Sequence, residues 1–450
     1  MIYIYSYIIY PLLLLAAHLL APFNKKIQQT LRLRSVWRAA VTECRPGDNF
    51  HSVIWVHVAS AGELEYALPI IEACGQRSIG VVLTYYSVSA VQSARSVFVK
   101  NSNIVLVSPL PHDGFGIPRN FVKRLVALNT KKLILTKYDF WPGLLSEVKK
   151  AHISVVVVDA VPPRRWTWVE KYLWWYVDAV DFGYDKIASQ FQKLVGVLDG
   201  QRFSIGVSGD TRVEQVVKRL AQPSAVVDVV AQLKARFSKS ESFVLGSMWP
   251  EDVDVFLSTA ELGALAFQNI FWVPHEIEDV ESPRYQKQFK LFEEKQNYKV
   301  SVVRNLDELR ALLSIPPARN AVPQRHVFII AMKGVLAPLY QVAWGAFVGG
   351  SVYKNTHSVI EPLLAGCQVI IGPKRERSPE TYVLEELGLL TVVPSVDAGT
   401  WNATLQKLQH DDLEYARDKV AAEQRVLRLE KFRADHQGAS ARIVERYCLI

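Results

Sequence analysis

Hydrophobic positions along the chain fall into two regimes. Ile2–Phe23 is one apolar stretch of 22 residues without Asp, Glu, Lys or Arg. As a helix rising about 1.5 Å per residue it is about 33 Å long, enough to cross a hydrocarbon core of about 30 Å. Tyr3, Tyr5, Tyr7 and Tyr10 gather toward one end, as interfacial aromatics do. Beyond it, short Val- and Ile-rich runs alternate with stretches of helical character. Val53–Val58, Gly80–Thr84, Ile104–Leu110, Lys132–Tyr138, Ile153–Asp159 and Arg202–Val207 are too short for helices and mostly apolar on both faces. That is the pattern of buried parallel strands. Gly209–Ser224 reads as a linker and helix start. A second series follows: Phe243–Ser247, Ile270–Pro274, Lys299–Arg304, His326–Ala331, Gly345–Gly350, Gln368–Gly372 and Leu389–Val393. Helical stretches such as Glu251–Leu262 and Glu361–Ala365 lie between them, and Asp411–Cys448 is a charged, largely helical tail.

Two successive βα series predict an α/β chain with two doubly wound, Rossmann-like domains and a ligand cleft between them. The expected organisation is an anchor over 2–23, an N-terminal domain over 40–208, a C-terminal domain over 225–425 and a C-terminal helix over 426–450. A length of 450 residues agrees with more than one domain.

Charge sharpens the reading of the first segment. Lys25, Lys26, Arg32, Arg34, Arg38 and Arg45 follow it against a single acid, Glu43. The positive-inside rule then predicts a single-pass membrane helix with all later residues cytoplasmic. A cleaved signal peptide or a helix lying in the interface are the alternatives; the segment lacks a basic leader and has a very thin polar face. The basic residues could hold the chain against anionic lipid, with Trp37 inserting beside them. The net charge of +8 is not concentrated in one run, which speaks against nucleic acid as a partner. Cys44, Cys74, Cys367 and Cys448 form no C-x-x-C pair, so neither a zinc framework nor a disulfide scaffold is indicated. No metal cluster emerges from the ten histidines, and no cofactor motif is present.

Four motifs carry candidate chemistry. In His57-Val58-Ala59-Ser60-Ala61-Gly62-Glu63 a strand gives way to a small-residue turn and a helix, with Glu63 in its first turn. Gly62 would supply a backbone conformation closed to other residues. Glu63 could remove a proton from an attacking hydroxyl, or could simply complement the helix dipole. In Gly349-Gly350-Ser351 followed by Thr356-His357-Ser358-Val359-Ile360-Glu361-Pro362, a glycine turn leads to a helix start near Ser358 with N–H groups suited to phosphate. There Glu361 could cap Ser358 or bind a ribose. Pro274-His275-Glu276 ends a strand, and His275 could donate to phosphate or be structural. Tyr138-Asp139-Phe140-Trp141-Pro142 wedges an acid between aromatics, where a raised pKa is expected.

In this order the motifs resemble the transferases of 3-deoxy-D-manno-oct-2-ulosonic acid (Kdo), which move Kdo from CMP-Kdo to the lipid A precursor. The resemblance runs from the N-terminal segment to about residue 393. It implies the GT-B glycosyltransferase fold. His57, Ser60, Gly62 and Glu63 match the family's H-x-x-S-x-G-E, whose glutamate is the proton acceptor. Asp139-Phe140-Trp141-Pro142 looks like its acid-aromatic W-P turn, with Asp in place of the usual Glu. Gly209-Asp210-Thr211-Arg212 matches G-[ND]-x-[KR], which gives Arg212 a stabilising role, and Gly246-Ser247-Met248-Trp249-Pro250 matches G-S-x-x-P.

The donor-binding pieces diverge more. Pro274-His275-Glu276 stands where many members have P-R-H, so the cationic contact falls to His275. Lys333-Gly334-Val335-Leu336 with Tyr340 resembles M-G-E-L…Y, with Val335 in place of the acid. Gly349 to Pro362 resembles G-G-S…H-N-P-L-E-P with Ser358 in place of Asn, and Asp159-Ala160-Val161 echoes N-A-R-L-S. The resemblance thus implies an inverting, metal-independent enzyme with Glu63, Asp139 and Arg212 as catalytic residues. It implies donor and substrate contacts from Ser60, Gly62, Ser247, Pro274, His275, Lys333, Gly334, Val335, Gly350, Ser351, Ser358, Val359, Ile360 and Glu361. The implied partners are CMP-Kdo, a lipid A precursor and the inner membrane. A GT-B enzyme using another nucleotide sugar, or a tethered binding module without activity, are the rival readings.

Overall fold

The computed structural model describes residues 2–38, 50–137, 139–163, 167–196, 204–221, 227–260, 267–296, 298–314, 325–395, 397–417 and 419–449. Glu43, Cys44, Arg45, Tyr138, Arg202, residues 222–224 and residues 261–262, all named above, lie outside them, as do positions 40 and 225 where domains were expected to open. The chain divides into two compact units, residues 1–215 with 436–450, and residues 216–435.

The first unit is built on seven strands: β1 (Ser52–Val58), β2 (Ile79–Tyr85), β3 (Ile104–Pro109), β4 (Thr130–Thr136), β5 (Ser154–Val158), β6 (Ala179–Phe182) and β7 (Ser204–Val207). All pairs are parallel, in the order β3-β2-β1-β4-β5-β6-β7. β1 and β2 are buried along their whole length, as their unbroken apolar runs require. Ile54, Val56 and Ile134 meet Ile70 and Ile71 of the helix Ala61–Gln76 in the core. The chain leaves β1 in one direction to β2 and β3 and later returns on its other side as β4. The β1/β4 boundary is therefore the topological switch point, where such sheets open a crevice at their carboxyl ends.

The second unit repeats the plan with β8 (Ser242–Met248), β9 (Asn269–Pro274), β10 (Lys299–Val303), β11 (His326–Ile330), β12 (Gly345–Val348), β13 (Gln368–Ile371) and β14 (Leu390–Val392). Their order is β10-β11-β9-β8-β12-β13-β14, again parallel, with the switch point between β8 and β12. Its core rests on large aromatics, among them Trp272, Phe256 and Trp401, each fully buried.

One strand escaped the sequence pattern. β6 carries Asp181 in the middle of its run, and this acid is only 1% exposed. Its carboxylate accepts from Ser208 N (3.1 Å), Ser208 Oγ (2.8 Å) and Tyr447 Oη (3.0 Å), with Arg446 at 3.2 Å. Two of these partners come from the last residues of the chain. The expected single C-terminal helix over 426–450 is accordingly divided. Lys419–His436 is one helix, and Ala439–Ile443 with Val444–Cys448 packs on the helix Ala61–Gln76. Gly209–Ser224 is mostly helix, Thr211–Ala221.

The apolar segment is helical over Ile2–Phe23, and little of it is buried. Asn24 stops it and caps the next helix, Lys25–Ser35, by accepting from Lys26 N and Ile27 N. The segment is nonetheless docked. Tyr5 Oη donates to Asp113 (2.9 Å), and Tyr10 Oη meets His112 Nδ1 (3.0 Å). Arg34 returns to the same loop, donating to the carbonyls of Leu110 and Pro111. Lys25, Lys26, Arg32 and Arg38 are exposed, but Arg34 is buried. Trp37 is buried too, edge-on to Phe121, and so does not insert beside the basic residues as expected.

Candidate active site

At the β1/β4 switch point the end of β1 turns through Ala59 and Ser60 into the helix Ala61–Gln76. Ser60 is its N-cap, extended in backbone, and its hydroxyl accepts from Glu63 N (3.4 Å). The Glu63 side chain folds back so that Oε2 accepts from Ala59 N (2.7 Å) and from Thr136 Oγ1 of β4 (2.9 Å). Among the described residues no hydrogen bond reaches Oε1. Burial pushes the Glu63 carboxyl above its ordinary value, and the nearby Asp139 adds to this. The two hydrogen bonds and Lys137 pull the other way without cancelling it. The result is an oriented carboxylate with one oxygen held and raised proton affinity. Gly62 has no positive φ, and a Cβ there would meet only Ser60 Oγ at 3.8 Å. The special backbone expected of it is absent; its small size leaves the face beside Glu63 open.

Asp139 follows β4 and accepts from His57 Nε2 (2.8 Å) and Trp141 Nε1 (3.1 Å) through Oδ2. His57 is 1% exposed, and its Nδ1 lies 2.8 Å from Thr84 Oγ1, which accepts from Trp55 Nε1 at 2.7 Å. An indole N–H can only donate. Each proton finds an acceptor when the chain runs from Trp55 to Thr84, to His57 and to Asp139. The pKa expectation for Asp139 is reversed. Burial works to raise it, but the bonds from His57 and Trp141, with Arg34 nearby, outweigh burial and hold the carboxyl below its usual value. Asp139 is a fixed anion.

Arg212 is also in this unit but is committed to an acid. Its Nε and Nη2 reach Asp210 at 3.0 and 2.6 Å, and Asp210 is fully buried, accepting from Tyr184 Oη at 2.7 Å. The Arg212 guanidinium stacks at 4.5 Å from the centre of the Tyr66 ring, and Lys137 Nζ lies 4.6 Å from the same ring. Tyr66 is one turn after Glu63 on its helix, so two cations and the carboxylate are grouped by one helical face.

In the second unit the candidate residues lie at the carboxyl ends of β8, β9, β11 and β12. Gly349 packs so tightly beside β8 that a Cβ would come within 2.3 Å of Ser247 O. Asp252, unremarked in the sequence, orders the turn: its Oδ2 accepts from Gly350 N (2.7 Å) and Trp249 N (3.0 Å). The Gly350 N–H is therefore not left for phosphate. Ser351 is fully buried, bonded to Val348 O and Gly372 N. The helix expected from Ser358 spans only Ile360–Leu364, and Glu361 neither caps Ser358 nor points free: it pairs with Arg219. Val335, Val359 and Ile360 are buried, whereas Lys333, Gly334 and Ser358 are exposed.

A stack of rings stands over this turn. His275, whose N–H bonds to Met248 O, lies 4.2 Å from the Trp249 ring and 4.4 Å from the His357 ring. Trp249 Nε1 donates to His357 Nε2 (3.2 Å), which places the proton of His357 on Nδ1. Burial lowers the pKa of both histidines, that of His357 to about 4, and Lys354 adds to it. His275 is thus neutral near pH 7 and not the cationic contact expected. The positive charge here is Lys354, whose Nζ lies 2.9 Å from the centre of the Trp249 ring.

The structure thus gathers Ser60, Gly62, Glu63 and Asp139 at one switch point, and Ser247, Pro274, His275, Gly350 and Ser351 at the other. It adds His57, Thr136, Lys137 and Tyr66 to the first group, and Trp249, Asp252, Lys354 and His357 to the second. His57 and His357 stood within the quoted motifs; Asp252 had only its place three residues past Trp249 as a signal.

Residues 29–180 match the family described as 3-deoxy-D-manno-octulosonic-acid transferase (kdotransferase). The 3-deoxy-D-manno-octulosonic acid transferase of Aquifex aeolicus is 26% identical over 330 residues, covering 72% of this chain and 77% of its own length. That of Chlamydia muridarum is 23% identical over 373 residues, covering 80% and 79%. Among solved structures, the UDP-GlcNAc 2-epimerase of Neisseria meningitidis superposes with a TM-score of 0.56 at 11% identity, over 88% of this chain and 98% of its own. A glycosyltransferase of Rickettsia africae gives 0.55 at 9% identity, over 89% and 98%. Both share the fold alone, which is of the GT-B glycosyltransferase class.

Proposed function

We propose that this chain, which belongs to the Kdo transferase family, transfers Kdo from CMP-Kdo to a lipid A precursor with release of CMP, and that Glu63 is its base. The observation that carries the reading is the Glu63 carboxylate: pinned through Oε2 at a switch point, raised in proton affinity, and with Oε1 unengaged among the described residues. A base must approach its proton within hydrogen-bond reach and with a pKa lifted toward the working pH. The helix-dipole role of Glu63 is not an alternative to this, since the same side chain serves both.

In the proposed reaction the acceptor hydroxyl gives its proton to Glu63. Its oxygen attacks the anomeric carbon of Kdo, the bond from that carbon to the CMP phosphate oxygen breaks, and CMP leaves with the electron pair. Inversion follows from a single displacement, and no metal takes part. Asp139, held as an anion, favours the positive character that develops at the anomeric carbon, while Lys137 favours the departing phosphate and Arg212, its charge taken by Asp210, holds the Tyr66 ring beside Lys137. The second unit receives the donor. Lys354 and Lys333 meet its negative charge, the neutral His275 and His357 supply N–H donors, and Trp249 offers a ring face to the base. Pro274, Ser247 and Gly350 shape the turn, and Ser358 and Glu361 stand at its outer edge; Ser351, Val335, Val359 and Ile360 support it from within.

In this reading the enzyme works at the cytoplasmic face of the inner membrane, held on anionic lipid by its apolar helix; the length and composition of that helix support the reading. Tyr5 and Tyr10 bond residues 113 and 112 while Arg34 returns to 110 and 111, so insertion as a hairpin into one leaflet fits these contacts. A single crossing requires Tyr5 to leave Asp113. The test of function is to incubate the purified chain with CMP-Kdo and a tetraacylated lipid A precursor. A product heavier by one or more Kdo units supports the reading, and an unchanged acceptor with any CMP-Kdo concentration rejects it.

A further inference from the structure

Next to the Asp139 cluster the first unit contains a cavity of about 600 Å³, within the usual range of ligand sites. Leu13, Leu14, Ala17 and Leu20 of the apolar helix and Ile27 and Leu31 of the following helix form an apolar trough. Tyr10 marks its end against the unit and Leu20 its outer end. Ten residues of helix separate them, a run of about 15 Å. At the inner end the lining changes character to Arg34, Tyr86, His112 and Trp141.

Arg34 is the unusual member. It is 4% exposed, its guanidinium lies 4.4 Å from the Trp141 ring and 5.0 Å from the Tyr86 ring, and its hydrogen bonds go to two backbone carbonyls. No carboxylate pairs with it among the described residues. Asp113 and Asp139 feel its charge without pairing with it, so the guanidinium keeps capacity for an anionic group that enters the cavity. His112, whose pKa burial and then Arg34 lower to about 4, adds no competing charge near neutrality. Lys26 offers a second cation along the wall.

We propose that this cavity seats one acyl chain of the lipid acceptor, with an anionic group of the same molecule against Arg34. The assignment rests on the lipid acceptor of the preceding section. The acceptor is favoured over a bulk lipid because Trp141, in the cavity wall, donates to Asp139: the headgroup end of the trough is continuous with the catalytic cluster. An apolar chain, a charge and a reacting hydroxyl in that order are what an acylated, phosphorylated sugar presents.

The test uses the full chain in phosphatidylcholine nanodiscs with CMP-Kdo and either a tetraacylated diphosphoryl glucosamine disaccharide or its deacylated counterpart. Ala17→Phe fills the trough; Leu14→Trp does so independently should the first variant fold poorly. Leu15→Trp, on the exposed face outside the cavity, is the control. Loss of two buried methylenes corresponds to about tenfold in affinity. The filled variants should raise KM for the acylated acceptor about tenfold or more at near-constant kcat. KM for the deacylated acceptor should stay unchanged, and Leu15→Trp should change neither. Equal effects on both acceptors, or none, overturn the proposal. If the wild type transfers Kdo to neither acceptor, the functional reading falls, and the cavity is read without turnover by crosslinking dodecyl phosphate that bears a terminal diazirine. Adducts within residues 10–31 that vanish in Ala17→Phe support the cavity; adducts that persist overturn it. Displacement of the probe by phosphatidylglycerol as readily as by the acylated disaccharide overturns the choice of acceptor.

Discussion

Glu63 and Asp139 are two half-buried carboxyls of one cluster whose proton affinities are driven apart. Burial lifts Glu63, whereas donors from His57 and Trp141 overcome burial at Asp139. The base must be ionised to act, so kcat/KM should rise with pH through an acidic limb above the ordinary glutamate value of 4.5. Lys137 lowers the Glu63 pKa and Asp139 raises it. Lys137→Met should therefore move that limb to higher pH and Asp139→Asn to lower pH, read from rate profiles; displacement of both in the same direction contradicts the assignment. The place of Glu63 at a strand end was legible because a strand, a small-residue turn and an acid lie together in sequence, whereas its role as base came from the family resemblance. The Asp139 shift was not legible. It depends on His57, 82 positions earlier, which only the β1/β4 pairing brings within 2.8 Å.

Elements explain most of what could be read in advance. Thirteen runs expected as strands are strands in the structure; most are buried on both faces and so continuously apolar, while the edge strands β7 and β10 are partly exposed. β6 was missed because Asp181 interrupts its run, and the groups that satisfy Asp181 lie at Ser208, Arg446 and Tyr447. The β8/β12 turn was read as a phosphate cradle, but Asp252 takes the Gly350 N–H. Its packing makes a sharp prediction. A Cβ at Gly349 would lie 2.3 Å from Ser247 O and 2.8 Å from Met248 Cα, in backbone that cannot yield cheaply. Gly349→Ala should cost the second unit about 1–3 kcal/mol and raise KM for CMP-Kdo, seen by thermal denaturation and donor titration. Unchanged stability would mean that β8 and β12 are less closely apposed.

For the whole molecule, the two ends of the chain both belong to the first unit. His436 accepts from Asp210 N, Ser440 bonds Glu214, and Arg446 and Tyr447 serve Asp181. Deleting residues 436–450 should strand buried Asp181 and destabilise the first unit by about 3–5 kcal/mol, measurable as lost hydrogen-exchange protection in β6 and β7. At the other end, a tag placed before Ile2 should be reached by protease from the same side of sealed vesicles as the catalytic units. Cleavage only from the opposite side would mean that Tyr5 leaves Asp113 and the helix crosses the bilayer. The central claim remains the base at the β1/β4 switch point. Its most direct measurement is the single-turnover rate of Kdo transfer by Glu63→Gln, an isosteric change that keeps an acceptor oxygen for Ala59 N–H and Thr136. A fall of about 10²–10⁴-fold with CMP-Kdo binding unchanged is the predicted result; a rate within about tenfold of wild type would contradict it.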